Sequence, residues 1–350
     1  ISAPVSERRI YLDRSLGERR GVVTLDGRPE RLLIQRDDDD PRLRPGARQI
    51  ARVASLEPAL GSAFLDLGEG VEAILPFKPD ARPIRGQSLE IEIRGEARRG
   101  KLAIARAVGE GEGAPRPTAD APDLAAELAF LAPGARLVEG RAAEEMADEA
   151  ESEALEVLHP LPGGGLIAIE PTRALTAVDV DLGDRKGPDP KRVTRQANLA
   201  ALGMTARLLR LKGLGGIVVI DLVGRGHDGN ALLAAARAAF APDNPGVAIG
   251  PVGRFGTMEL SLPRRTQPVL ERLCAADGAL SDRSLAQRLI RQLHREAVAA
   301  SGARLVAVCA PAVAKAAEPL GVLLAARIGA RFAIRADSAA PRDRPRIATE

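Results

Sequence analysis

Two short apolar segments that carry acidic residues constrain the fold of this 350-residue chain more than any other feature. The first, TAVDVDLG at residues 176–183, places Asp179 and Asp181 two positions apart, and the second, GGIVVID, ends in Asp221. Side chains alternate faces along a strand, so Asp179 and Asp181 point the same way, roughly 6–7 Å apart. Residues 194–212, between the two segments, have the apolar spacing of a helix and are followed by clustered glycines. The pattern predicts a strand, helix, strand unit.

The three acids of this unit are expected to share one site. Its two strands are neighbours in one sheet, so Asp179, Asp181 and Asp221 converge at the edge of that sheet. Carboxylates this close repel one another unless a cation or protons lie among them, and hard oxygen ligands suit Mg²⁺ or Mn²⁺. Such a metal is typical of phosphate chemistry. For each acid taken alone, the alternative is a turn former or a helix cap, which needs no ligand.

The sequence around these acids resembles the catalytic subdomain of the ribonuclease E/G family of bacterial endoribonucleases. The resemblance lies in GGGLIAIEPTRALTAVDVDLG, TRQANLAALGMTARLLRLKGLGGIVVID and VGRFGTMELSLPR, which follow one another within residues 163–265. It implies a DNase-I-like subdomain in which Asp179 and Asp221 hold Mg²⁺ for attack of water on single-stranded RNA. From the carboxylate ligands themselves, Mn²⁺ is expected to be able to substitute for Mg²⁺. Asp181 stands where the family has asparagine, so it is expected to assist or to add a ligand.

Residues 46–108 contain short β-like runs separated by glycine and proline turns, which predicts a small barrel. With GSAFLDLG at 61–68, the segment resembles the OB-fold RNA-binding domain of the same family. The resemblance implies that Phe64 and Arg99 contact RNA, whereas the family's second aromatic position is Ile74 here. The alternative for Phe64 is a place in the barrel core.

Further cations are expected to contact RNA phosphates beside the acids. Arg185 and Lys186 lie in the loop after the first strand, where solubility explains their charge equally well. Arg225 lies in the glycine-rich loop after the second strand. Arg254 matches a family residue near the RNA, and the alternative for it is a structural salt bridge. His227, in the same glycine-rich loop, has either a proton-transfer role or an ordinary loop role.

The resemblance implies an α+β multidomain chain. An OB-fold barrel is inserted in a reduced RNase-H-like scaffold, and a DNase-I-like subdomain and a small α/β domain follow. The expected segments are scaffold strands at 1–45, the barrel at 46–108, a linker and the scaffold remainder at 109–162, the catalytic subdomain at 163–270, a degenerate zinc-link segment at 271–280, the C-terminal α/β domain at 281–337 and a polar tail at 338–350. Too few residues separate the barrel from the catalytic subdomain for the family's sensor of a 5′ monophosphate.

The two cysteines of the chain bear on zinc binding, on a zinc-linked dimer and on cellular location. In the family a cysteine pair forms a zinc link between two subunits, and here Cys274 matches the first cysteine while Asp277 replaces the second. Neither zinc nor a zinc-linked dimer is therefore expected, although another oligomer is compatible with the sequence. A chain with two cysteines fits a reducing cytoplasm, and no apolar run approaches the ~18 residues of a membrane span.

The charge of the chain is nearly balanced, with 50 Lys and Arg residues against 47 Asp and Glu residues. Most of the cations are arginine, whose planar fork suits phosphate, but the balance is weak evidence for nucleic acid. Residues and resemblance together predict a Mg²⁺-dependent endoribonuclease for single-stranded RNA, with ribosomal RNA precursors among its candidate substrates. Two alternatives stay open: an RNA-binding, ribosome-associated relative without turnover, and a DNA nuclease or phosphoesterase that shares only the sheet.

Overall fold

The chain is a mixed α+β protein, as predicted. A computed structural model describes residues 6–350, and this part of the chain forms four β-sheets. Residues 1–5, which the predicted scaffold segment includes, lie outside the described residues.

The first sheet begins as an antiparallel meander. Its strands are β1 (Arg8–Ser15), β2 (Glu18–Leu25) and β3 (Arg28–Arg36). Asp26 and Gly27 between β2 and β3 both have positive φ (52° and 79°), as a two-residue type I′ hairpin turn requires. Their backbone twist therefore matches the twist of the strands that they join.

The second sheet is a closed five-stranded barrel, as predicted for this part of the chain. Its strands are β4 (Arg48–Glu57), β5 (Ser62–Asp66), β6 (Glu72–Pro76), β7 (Ser88–Gly95) and β8 (Ala103–Glu110). They pair in the order β5-β6-β8-β7-β4, and the pairing of β4 with β5 closes the barrel. A short strand, β9 (Arg116–Ala119), pairs with β4 within the predicted linker, because β4 is long enough to pair beyond the barrel.

The chain then returns to the first sheet. The elements are α1 (Leu124–Leu131), β10 (Arg136–Glu139) and α2 (Arg141–Leu155). β10 pairs parallel with β1, which completes the order β10-β1-β2-β3. The buried face of α2 consists largely of alanines, so this acid-rich helix packs closely on the sheet.

The third sheet carries the predicted acids. Its elements in chain order are β11 (Leu158–Pro160), β12 (Leu166–Pro171), β13 (Thr176–Asp181), α3 (Pro190–Lys212), β14 (Gly216–Asp221), α4 (Gly229–Phe240), β15 (Ala248–Val252) and β16 (Thr257–Leu262). The strand order is β11-β12-β13-β14-β16-β15. β13 and β14 are parallel and connected by α3, so the predicted strand, helix, strand unit is present. One face of the sheet shares a core with α3, α4 and the first sheet.

Helix α3 begins four residues before the predicted segment. The side chain of Asp189 accepts a hydrogen bond from the Lys191 amide, and Pro190 occupies the first turn, where its missing N–H is not needed. The helix ends before Gly213, which has the left-handed conformation common after helices. These two ends fix the direction in which the chain enters β14.

The fourth sheet lies near the C-terminus. The elements after β16 are α5 (Val269–Leu273), α6 (Asp282–Ala299), β17 (Leu305–Cys309), α7 (Pro311–Ile328), β18 (Phe332–Ala336) and β19 (Arg346–Thr349). The strand order is β18-β17-β19. β19 forms within the predicted polar tail, because the second edge of β17 is free to pair and Ile347 packs against the local core.

Buried ion pairs connect α6 and α2 to the first sheet. The fully buried Arg20 guanidinium lies 2.7 Å from Asp13 and 3.0 Å from Glu151. Arg291 of α6 lies 2.8 Å from Glu18 and 3.3 Å from the same Glu151. Helix α6 is therefore held on the first sheet and on α2 by charges as well as by apolar contacts. No helix in the described part of the chain is both long and apolar enough to cross a lipid bilayer.

Candidate functional site

Asp179 and Asp221 occupy paired positions on adjacent parallel strands. Asp179 of β13 is in register with Asp221 of β14, so their Cα atoms are about one strand spacing apart, ~4.8 Å. Along each strand the neighbouring positions, such as Val180 and Ile220, are buried, and both acids are exposed. Both carboxylates therefore project from the same side of the sheet. The structure brings these two predicted residues together.

Within residues 6–350, α3 and α4 pack on the opposite face of the sheet, whereas no helix covers the face that carries the acids. Its exposed positions include Leu166, Ile217 and Glu259, each on a different strand. The register runs from Ala168 across Asp179 and Asp221 to Thr257, so small or hydroxyl side chains flank the acid pair. A polymer therefore has lateral access to the acids.

Asp181 lies on the same face but further along β13, opposite Leu166 of β12. Its carboxylate accepts a hydrogen bond of 2.9 Å from the backbone N–H of Gly183. Asp181 thus has a turn-forming contact that Asp179 and Asp221 lack. Of the three predicted acids, Asp179 and Asp221 therefore form an adjacent pair, and Asp181 lies further along β13.

The acid pair has the donor chemistry of a divalent-cation site. None of the ion pairs formed within residues 6–350 involves Asp179 or Asp221, and the nearest in sequence joins Arg195 to Asp228 at 3.9 Å. Two adjacent carboxylates without a cation repel one another, and hard oxygens are the ligands that Mg²⁺ and Mn²⁺ prefer. Among the same residues, no group of three or more His, Cys, Asp and Glu side chains is arranged to hold a metal ion. The site offers a pair of protein ligands, which fits Mg²⁺ because this ion usually keeps several waters.

The predicted cations lie around the ends of β13 and β14 but differ in their surroundings. Lys186 and Arg225 are exposed in the two loops. Arg185 is half-buried, and its guanidinium donates to the backbone oxygen of Pro162 at 3.0 Å, beneath the turn at Gly163. Part of the hydrogen-bonding capacity of Arg185 is therefore used within the fold.

Arg254 and Phe255 form the tip of the turn between β15 and β16. The guanidinium carbon of Arg254 lies 4.5 Å from the centre of the Phe255 ring, and this ring is 78% exposed. The turn adjoins the end of β14, because the Leu222 amide donates to the backbone oxygen of Gly256. A flat, cationic surface thus stands next to the acid pair.

His227 lies close to the same turn. Its Nε2 atom is buried and has no hydrogen-bond partner among the described residues, and an added Cβ on Gly256 would lie 3.4 Å from it. The ring therefore packs against the backbone of the turn beside Thr257.

On the barrel, the predicted contact residues have separate environments. Phe64 alternates with the buried residues Ala63 and Leu65, so it lies on the outer surface rather than in the core. It pairs with Ile74, which pairs with Ile104, and the three half-buried side chains form an apolar row. We call Phe64, Ile74 and Ile104 the barrel row.

Arg99 is engaged within the chain. Its guanidinium donates to the backbone oxygens of Cys274 and Ala275 at 3.2 and 3.3 Å, and its amide donates to the carboxylate of Glu271. Through these hydrogen bonds, Arg99 connects the barrel to the segment after β16. Both guanidinium bonds use Nη2, and Nε and Nη1 of this exposed side chain form no hydrogen bond among the described residues.

The predicted remnant of the zinc link is a compact turn. Cys274 is buried, and burial raises the pKa of its thiol. Asp277 accepts a hydrogen bond from the Ala279 amide, and Cys274 and Leu280 form an isolated bridge around the turn. Cys309, the other cysteine, is also buried and free.

The sequence interpretation did not identify one further acid, Glu259, on the face that carries Asp179 and Asp221. Glu259 of β16 pairs with Val219, two positions from the pairing of Thr257 with Asp221, so it is a diagonal neighbour of Asp221. Diagonal neighbours across a strand pair lie about 7–8 Å apart. The alternation of TMELSL, with Met258 and Leu260 buried, is the signal that could have placed Glu259 on this face.

Comparison with known proteins gives a family match over the part of the chain that contains Asp179 and Asp221. Residues 137–265 match the model of the Ribonuclease E/G family. Ribonuclease E of Haemophilus influenzae is 34% identical over 148 residues, which cover 39% of this chain and 16% of that protein. For Ribonuclease E of Escherichia coli the identity is 32% over 148 residues, covering 39% and 14%. A chloroplastic Ribonuclease E/G-like protein of Arabidopsis thaliana is 33% identical over 110 residues, covering 30% and 11%. The matches thus span less than a fifth of the length of these relatives.

Proposed function

We propose, from the membership of residues 137–265 in the ribonuclease E/G family, that this chain is an endoribonuclease that hydrolyses single-stranded RNA at the acid pair. The observation that carries the proposal is the paired register of Asp179 and Asp221 on the uncovered face of the third sheet. The segment that matches the family model, residues 137–265, contains both acids.

Asp179 and Asp221 are the residues that would hold Mg²⁺, with Mn²⁺ as a substitute. When bound, such an ion lowers the pKa of water and stabilises negative charge on phosphoryl oxygens. The two carboxylates orient their oxygens to one side, and their mutual repulsion in the free protein favours cation binding. Asp181 adds negative charge close to the pair, in the place of the family's asparagine.

The proposal extends to how RNA is held and to the domain assignment. The barrel would be an OB-fold RNA-binding domain in which the Phe64 ring stacks on a base, a contact worth about 1–3 kcal/mol. Lys186, Arg225 and Arg254 would contact backbone phosphates, which position a strand without reading its sequence. The first sheet would be a reduced RNase-H-like scaffold, and the third sheet a DNase-I-like subdomain.

The finer biological assignments are proposals as well. We propose a role in RNA processing or decay in the cytoplasm, with ribosomal RNA precursors as one candidate substrate. Because Asp277 stands where a zinc-binding cysteine would be required, we propose that any oligomer forms without a zinc link.

A second candidate function is RNA binding without cleavage. The specific observation that favours it is the barrel row, because Ile74 and Ile104 extend the surface of Phe64 independently of the acids. A binding protein would require the row but neither Asp179 nor Asp221.

A cleavage assay separates the candidates. Purified protein is incubated with unstructured RNA and with single-stranded DNA, in Mg²⁺ or Mn²⁺, beside Asp179→Asn and Asp221→Asn variants. The nuclease proposal predicts cleavage of RNA alone and loss of about 100-fold in either variant, since each removes one negative charge from the metal site. Glu149→Gln is the matched control, because Glu149 is an exposed acid of helix α2 and not of the third sheet.

Each outcome has a distinct meaning. RNA cleavage that survives both aspartate substitutions would reject the proposed site. Binding of RNA without cleavage, unchanged in the two variants, would support the second candidate. Equal cleavage of DNA would indicate a nuclease that shares only the sheet.

A further inference from the structure

The loop that follows Asp221 is attached to helix α3 by a single buried side chain. Asn198 is 1% exposed, and its Nδ2 donates to the backbone oxygen of Val223 at 3.0 Å. Its Oδ1 accepts from the backbone N–H of Val223 at 3.1 Å. One amide side chain thus satisfies both backbone groups of Val223, two residues after Asp221.

The same loop is fixed on two further sides. Gly224 has a φ of +90°, and a Cβ added to it would lie 2.6 Å from Cγ2 of Thr194, one helical turn before Asn198. On the other side, the Leu222 amide donates to the backbone oxygen of Gly256. The backbone after Asp221 therefore has little freedom to rotate.

We infer that Asn198 is a positioning residue, which acts through Val223 to hold the carboxylate of Asp221 opposite Asp179. The inference rests on the proposed function, since a metal shared by two carboxylates tolerates little displacement of either one. Asp221 is the last residue of β14, so strand pairing fixes the backbone up to this residue but not the backbone after it. The hydrogen bonds of Asn198 to Val223 help to fix the backbone after it.

An ordinary structural role makes a different prediction. Buried backbone groups need hydrogen-bond partners, and an asparagine that only meets this need would affect stability alone. A positioning role predicts in addition weaker metal binding and a lower kcat, with little change in KM for RNA. The two roles are separated by measurements made well below the melting temperature.

Asn198→Asp is the most informative variant. Aspartate keeps the shape of the side chain and the acceptor for the Val223 amide, but it places an oxygen against the backbone oxygen of Val223. We expect Mn²⁺ affinity, measured by calorimetry, and kcat to fall by about 10-fold or more, as is typical when a partner of a metal ligand is lost. Hydrogen exchange of the peptide at 220–228 should become faster.

Thr205→Val is the matched control. Thr205 lies in the same helix, is fully buried, and its hydroxyl has no hydrogen-bond partner among the described residues. The substitution alters a buried polar side chain without touching the loop. It should leave Mn²⁺ affinity, kcat and exchange at 220–228 unchanged.

A second variant guards against misfolding of Asn198→Asp. Gly224→Ala places a methyl group against Thr194 and forces the loop to move without burying a charge. The inference predicts the same loss of Mn²⁺ affinity and kcat in this variant.

The failure of the inference and that of the proposed function are distinguishable. Wild-type affinity and kcat in both folded variants would overturn the positioning role and leave the nuclease intact. If the wild-type protein neither binds Mn²⁺ at the acid pair nor cleaves RNA, the proposed function fails, and the inference fails with it.

Discussion

The carboxylate of Asp181 accepts a 2.9 Å hydrogen bond from the backbone N–H of Gly183, at the point where the chain leaves β13. An asparagine oxygen can accept the same bond, whereas alanine cannot. The position therefore tests charge and geometry separately.

We predict that Asp181→Asn retains both fold and RNA cleavage. Its thermal midpoint should stay close to that of the wild type, because an exposed substitution that keeps its hydrogen bond changes stability by only about 0.5 kcal/mol. The Mg²⁺ concentration for half-maximal activity should rise severalfold, since one negative charge beside the acid pair is removed. Asp181→Ala, the comparison variant, loses the turn contact as well and should melt earlier. A complete loss of cleavage in Asp181→Asn would show that Asp181 is a required ligand.

The central strands of the third sheet follow directly from the sequence. In β13, alternation of apolar residues with Asp179 and Asp181 determines which side chains are buried, whereas β14 is apolar up to Asp221, so its own pattern does not distinguish the two faces. The helical connection predicted that the two acids lie on neighbouring strands of one sheet. A slip of two residues would keep every side chain on its face, so the exact pairing of Asp179 with Asp221 is known only from the structure.

Other features depend on long-range contacts that no local pattern specifies. β19 and β9 are short, largely exposed strands that exist because β17 and β4 offer edges to them. Arg99 can donate hydrogen bonds to the backbone oxygens of Cys274 and Ala275 only because the barrel packs against the segment after β16. Asn198 had a local signal, a polar residue in the apolar stripe of α3, but its partner could be known only from the structure.

Substitutions in the barrel row should change RNA binding without changing the chemical step. We predict that Phe64→Ala weakens binding of single-stranded RNA by about 5- to 100-fold, the equivalent of one stacked base. Ile74→Phe should strengthen it, because a second ring would lie beside the first. Dissociation constants from fluorescence anisotropy test both. Ile84→Ala, at a 72% exposed position outside the row, is the control, and an equal effect there would argue against a specific surface.

Removal of the buried guanidinium at Arg20 should destabilise the scaffold strongly. Arg20→Leu leaves Asp13 and Glu151 buried without this partner, for which a loss of about 3–5 kcal/mol is typical. Arg14→Leu removes an exposed pair with Glu139 on the same sheet and should change the free energy of unfolding by less than about 1 kcal/mol. Urea unfolding measures both. Similar effects of the two substitutions would mean that the buried cluster does not hold the fold together.

The contact between the barrel and helix α1 should depend on pH through Glu127. A cavity of about 20 Å³ lies between the barrel and the scaffold and is lined by Glu96, Glu127, Gln35 and Arg272. Burial, with a smaller contribution from the charge of Glu96, raises the pKa of Glu127 to about 7. Gln35 donates a long hydrogen bond of 3.5 Å to the Glu127 carboxylate.

The direction of the pH effect follows from this raised pKa. The folded protein holds the proton of Glu127 more tightly than the unfolded chain, in which the pKa is about 4.3. The resulting stability is fully present below pH 4.3 and is lost as the pH rises through 7. We therefore predict that, between pH 5 and 8, the free energy of unfolding of the wild type falls by about 2 kcal/mol relative to Glu127→Gln. Chemical unfolding at several pH values measures the difference, and the exposed Glu149→Gln should follow the wild type throughout. Parallel pH profiles for the wild type and Glu127→Gln would show that Glu127 stays ionised at the junction.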